Sequence, residues 1–149
     1  MSKVVLKILF TTILLSMSVF AQNPAKWSLS SDVKDESLKL SETIKAELEA
    51  DIEPGWHLYA LEQPEGGPVA TTIKITDGKP FEIAGKITSP KPAEKTDPLF
   101  TGLDGKPLQT KFFTSGVTFT VPLKTTADVR KDELALDVRF QLCNDTVCL

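Results

Sequence analysis

Cys143 and Cys148 are the only cysteines of this 149-residue chain, five residues apart at its very end. They bracket Asn144-Asp145-Thr146-Val147, so a disulfide between them closes a very small loop. Chain entropy assigns such a loop about 2 kcal/mol, and it joins no distant parts of the fold. A bond that staples so little suits thiol–disulfide exchange, in which a thiolate attacks a disulfide sulfur. The plainer alternative is an inert staple, the usual role of paired cysteines in exported proteins. An immunoglobulin-type staple joins two sheets across many tens of residues, and this spacing cannot do that.

Other chemistries are poorly supplied. Copper sites of the cupredoxin kind want two histidines, a cysteine and usually a methionine. The chain has one histidine, His57, and both methionines, Met1 and Met17, fall in its first segment. No metal site and no dissociable cofactor are expected. Mixed charges without a basic cluster argue against nucleic acid or an anionic membrane as partner.

The N-terminus carries Lys3 and Lys7, an apolar run from Ile8 to Phe20, and a small residue at Ala21. That pattern describes a secretory signal peptide over residues 1–21, in a run short for a membrane span. Export permits a disulfide, and a bacterial periplasm is the expected compartment. Removing the leader takes the 17 basic residues to 15 against 20 acidic ones, a formal charge of −5. Residues 22–149 suffice for one domain with its own core.

The elements that must position the cysteines read as strands. Leu38, Leu40, Ile44, Ala46, Leu48, Ala50 and Ile52 alternate with polar residues, which predicts one long half-buried strand. Pro54-Gly55 ends it, and Gln63 to Pro68 is a loop. Val69, Thr71, Ile73 and Ile75 alternate next, followed by an Asp77-Gly78 turn before Phe81 and Ile83. Residues 89–107, rich in Pro, Lys and Asp, read as a long irregular loop. Val117, Phe119 and Val121 form a strand that Pro122 is expected to end. Leu134, Leu136, Val138, Phe140 and Leu142 share one face of the last strand, which places Cys143 in the opposite row with Asp137, Arg139 and Gln141, not buried by the pattern although a loop could cover that face. Asn144-Asp145 favours a turn, so the cysteines face each other at a hairpin end. Short strands without a convincing helix predict an all-β sandwich.

At this point the chain resembles a known family. Phe140-Gln141-Leu142-Cys143-Asn144-Asp145-Thr146-Val147-Cys148-Leu149 is similar to the active-site end of the N-terminal periplasmic domain of DsbD, the thiol:disulfide interchange protein. Pro54-Gly55-Trp56-His57-Leu58-Tyr59 resembles its glycine-aromatic segment, Asp97-Pro98-Leu99-Phe100 its cap loop, and Val117 to Pro122 a core strand. The resemblance runs in consistent order over about residues 28–149. The cysteine segment is the most specific part.

The resemblance implies an immunoglobulin-like β-sandwich with a redox-active disulfide. It implies electrons arriving from a thioredoxin-like domain that a membrane domain reduces. It further implies delivery to periplasmic disulfide isomerases or cytochrome c maturation proteins. Cys148 would form the mixed disulfide, Cys143 would resolve it, and Phe100 would shield the pair. Phe100 reads equally well as a core aromatic. Asp97 reads as a proton-handling carboxylate or, slightly preferred, a turn former before Pro98. His57 and Tyr59 share a face on an extended segment and are expected near the cysteines. The family often has tyrosine where His57 stands, and a plain surface histidine is an equal reading. Trp56 would face the core. The family usually continues beyond the cysteine segment with prolines and a further strand, so the chain reads as a free-standing module or a piece of a longer product. The rival reading is a non-enzymatic immunoglobulin-like binding module, in which the disulfide pins the last hairpin and the 89–107 segment contacts a partner.

Overall fold

The computed structural model describes residues 23–34 and 36–149; the leader expected over 1–21 lies outside them. Along the chain run β1 (Ala25–Ser31), β2 (Ser37–Leu38), β3 (Thr43–Ile52), β4 (His57–Tyr59), β5 (Thr72–Ile75) and β6 (Phe81–Ile83). There follow β7 (Ala93–Thr101), β8 (Pro107–Phe113), β9 (Gly116–Thr125), β10 (Val129–Arg130), a 3-10 turn (Lys131–Glu133), β11 (Leu136–Arg139) and β12 (Leu142–Cys143). No helix among the described residues is long and apolar enough to cross a membrane.

One antiparallel sheet has the order β1-β3-β9-β6 and a second the order β12-β4-β8-β7, with β11-β5 and β10-β2 as two-stranded ribbons. Ile44, Leu48 and Phe119 from the first sheet and Leu58, Phe113 and Leu142 from the second share one buried core. This is the expected immunoglobulin-like β-sandwich. β3 shows why the chain folds so. Ile44, Ala46, Leu48, Ala50 and Ile52 are all buried while every intervening residue is exposed, the signature of a strand with one face on a core. Gly55, at φ +85°, takes the left-handed turn that follows.

Several expectations need correction. The long strand predicted from Leu38 is broken: β2 pairs with β10, and Ser41 at φ 67° turns the chain before β3 begins. Leu40, expected to face inward, is therefore exposed. Pro122 does not end its strand. Its carbonyl accepts from Ala84 N at 2.8 Å, so its missing N–H faces the side where β6 has already ended, a place where no ladder bond is lost. The last strand is divided, β11 pairing with β5 and β12 with β4. The segment 89–107 is not irregular throughout, because residues 93–101 form β7 against β8.

The second sheet has two buried faces over part of its area, and this positions the site. Directly opposed residues in an antiparallel pair point the same way, and neighbours along a strand point oppositely. Leu142, Leu58 and Phe113 are register partners and face the sandwich core. Cys143 opposite His57, and Tyr59 opposite Phe112, therefore occupy the outer face. All three residues of β4 are buried, Leu58 inward and its two neighbours outward.

Candidate active site

The final hairpin sets the cysteines. Leu142 and Leu149 exchange two backbone hydrogen bonds, at 2.7 and 3.1 Å, and Asn144 N donates to Val147 O at 2.9 Å. Cys143 and Cys148 stand opposite each other between them, in the non-hydrogen-bonded position where side chains approach most closely. Their Cα atoms are 4.0 Å apart and their sulfurs are joined. Asn144 builds the intervening turn: its Oδ1 accepts from Thr146 N, Thr146 Oγ1 and Val147 N at 2.8–3.0 Å, the asparagine turn chemistry the sequence suggested.

The two cysteines differ in exposure. Cys148 is exposed, whereas Cys143 is fully buried. The strand pattern alone left Cys143 in an unburied row that a loop could cover, and a loop does cover it. β7 keeps register with β8 to the pair Asp97–Leu108 and resumes at Thr101–Pro107. Pro98, Leu99 and Phe100 are thereby extruded, as residues of a β-bulge are. Phe100 lies half-buried over Tyr59, Phe112 and Cys143, its ring edge-on to Tyr59 at 5.6 Å.

Beneath this cover runs a chain of polar groups. Tyr59 Oη donates to Asp97 Oδ2 at 2.8 Å and lies 3.3 Å from His57 Nε2. Thr110 Oγ1 donates to the same carboxylate oxygen at 3.4 Å, and Leu99 N donates to Oδ1 at 3.0 Å. Asp97 thus serves both as the turn former preferred from sequence and as a buried acceptor. His57 is not a surface residue; only 6 % of it is exposed, and its ring packs 5.3 Å from both Tyr59 and Phe112. Burial, and then the Lys95 ammonium, push the His57 imidazole below its ordinary pKa of 6.5, against the pull of Asp97 and Asp145. Burial, and then the hydrogen bond to Asp97, push the Tyr59 phenol well above its ordinary 10. Trp56, half-buried, packs on the sandwich core as expected.

The six residues singled out in the sequence, His57, Tyr59, Asp97, Phe100, Cys143 and Cys148, therefore meet at one place. Phe112, Thr110 and Lys95 complete it and were missed. Lys95 Nζ sits 5.0 Å above the Phe112 ring centroid, a cation–π arrangement. One signal for Phe112 was available: Phe112 and Phe113 are consecutive in a strand, so only one can face the sandwich core. A cleft of about 200 Å³, lined by His57, Lys95, Asp97, Leu99, Asn144 and Asp145, opens beside the disulfide. Among the described residues no group of three or more His, Cys, Asp or Glu side chains is placed to hold a metal ion.

Cys148 thus stands at the exposed end of the disulfide and Cys143 at its buried end. The crystal structure of the N-terminal periplasmic domain of ScsB from Proteus mirabilis resembles this fold with a TM-score of 0.56 at 21 % identity, over 86 % of this chain and 43 % of that one. This chain thus spans less than half of that structure's length, and at such identity the likeness concerns the fold. No curated protein matches the sequence. The family model described as "Thiol:disulfide interchange protein DsbD, N-terminal" matches residues 26–149. With its disulfide at the matching end of that span, the chain belongs to the family of DsbD N-terminal thiol:disulfide interchange domains.

Proposed function

We propose that the domain works in the periplasm as an electron relay. It takes electrons from a thioredoxin-like domain of a membrane electron-transfer protein and passes them to periplasmic oxidoreductases, either disulfide isomerases or cytochrome c maturation proteins. The observation that supports this reading best is the unequal exposure of the two cysteines. A partner thiolate meets Cys148 first and forms the mixed disulfide there, while Cys143 resolves it in the opposite direction. Phe100 acts as the lid, because the extruded segment that carries it can swing without breaking the β7–β8 ladder on either side. Exposed Leu99 and Val147 give a docking partner apolar contacts beside the pair.

The test combines a potential with a trap. The disulfide is equilibrated in glutathione buffers and free thiols are counted by alkylation and mass. A potential of about −200 to −250 mV is expected, and one below about −300 mV marks a structural staple and favours the binding-module reading. Cys143→Ser should accumulate a mixed disulfide when its Cys148 thiolate attacks the disulfide of an oxidised thioredoxin-like protein, and Cys148→Ser should not. Equal trapping by both variants overturns the assignment of roles.

A further inference from the structure

The relay leaves one chemical requirement unanswered. When the bond to Cys148 breaks, the departing electron pair rests on a sulfur that is wholly buried beneath Phe100, Tyr59 and Phe112. An unpaired thiolate in such surroundings is costly, and solvent water is not at hand to protonate it. The source must be a side chain on the same face.

The titratable groups facing this spot are few. Tyr59 shares His57's strand, Lys95 and Asp97 come from β7, Asp145 from the cysteine loop, and Cys143 from β12; β8 contributes the uncharged Phe112. Tyr59 already donates its hydroxyl hydrogen bond to Asp97 and is held against ionisation. Asp97 is engaged by Tyr59, Thr110 and Leu99. His57 is the direct cross-strand neighbour of Cys143 and also lines the open cleft. Because the Tyr59 proton points to Asp97, the Tyr59 oxygen accepts from His57 Nε2–H. That fixes the tautomer and leaves Nδ1 as the basic nitrogen.

We infer that His57 is the proton shuttle of Cys143, with Tyr59 and Asp97 as residues that hold its ring in place. The inference rests on the thiol–disulfide exchange reading and deepens it. In the reductive step an incoming dithiol, as thiolate, forms a bond to Cys148 Sγ and the Cys143–Cys148 bond breaks. The electron pair goes to Cys143 Sγ, which takes the Nδ1 proton of the His57 imidazolium. The imidazole is re-protonated through the cleft. The second thiol of the dithiol then displaces Cys148, so the dithiol is oxidised by two electrons and this domain gains two electrons and two protons. In reverse, neutral His57 accepts the Cys143 proton and readies that sulfur for attack.

Dithiothreitol serves as the probe, with its reduction of the protein's disulfide timed from pH 5 to 8.5 for the wild type and for His57→Gln. Titration of the reagent affects both proteins alike and cancels in the ratio of their rates. The wild-type advantage should fall by about tenfold or more from acid to alkaline pH. Its midpoint should coincide with the titration of His57, whose ring signals are unambiguous in NMR because it is the chain's single histidine. A ratio independent of pH overturns the inference while leaving the relay intact. A wild-type disulfide inert to dithiothreitol unless the protein unfolds overturns both. Should His57→Gln not fold, the wild type alone decides. Its rate constant, expressed per dithiothreitol thiolate, should fall as pH rises through the His57 midpoint, and a constant that does not change with pH overturns the proposal.

Discussion

The domain has two hydrophobic clusters that differ in kind. The inner one lies between the sheets, draws on nearly every strand, and consists of aliphatic and aromatic residues such as Leu48, Val121 and Phe119. The outer one is small: Tyr59, Phe112 and Cys143 with Phe100 half over them. It is threaded by the His57–Tyr59–Asp97 hydrogen bonds. The inner cluster is cooperative packing that must not open for the fold to survive. The outer cluster buries one cysteine and lies outside the core between the sheets. Stability and chemistry have been placed on opposite faces of one sheet, with β4 supplying both: Leu58 inward, His57 and Tyr59 outward.

That division is broken most directly by paired truncations. Phe119 is fully buried, stacks against Trp27 and meets Phe113 edge-on, so Phe119→Ala should cost about 3–5 kcal/mol. Chemical denaturation should show it, and disulfide reactivity should change only as the unfolded fraction grows. Phe100→Ala should cost less, about 1–2 kcal/mol, because the ring is only partly buried and borders a small cluster. Its larger consequence should be a several-fold faster reaction of the disulfide with glutathione, followed by quenched alkylation. If Phe100→Ala destabilises as much as Phe119→Ala, the two clusters are one core and the contrast fails.

A smaller effect sharpens the comparison through pH. Burial depresses the His57 pKa below 6.5 in the folded protein, so the unfolded chain binds that proton more readily. The contribution is therefore present above pH 6.5 and lost as pH falls through the depressed folded value. Urea denaturation at pH 5 and pH 8 should show the wild type losing stability in acid. His57→Gln should lack that part of the slope. No comparable acid term is expected from the inner cluster, which contains no titratable side chain.

Legibility followed the same division. β3 and the Val117–Val121 part of β9 could be read as strands because one face of each meets the core continuously. Asn144-Asp145 signalled its turn because a short side-chain amide bonds its own backbone. The break after Leu38 was hidden, since Leu40 continues the alternation by coincidence while Ser41 turns the chain. β7 was hidden because its buried face meets polar groups. Asp97 and Thr110 are buried there where a strand pattern looks for aliphatics.

From the sequence alone came the all-β class, the pairing of the two cysteines across a tight turn, and, by resemblance, six residues to watch. These follow from local rules: a two-residue period, turn chemistry and short separations along the chain. Only the tertiary structure decided that Cys143 is buried while Cys148 is not, and that His57 and Tyr59 share one hydrogen-bonded line with Asp97. Both depend on a three-residue extrusion from β7 that folds over the outer face of a sheet begun some 40 residues earlier at β4. Such a contact is fixed by strand register and burial between distant segments, which no local pattern records.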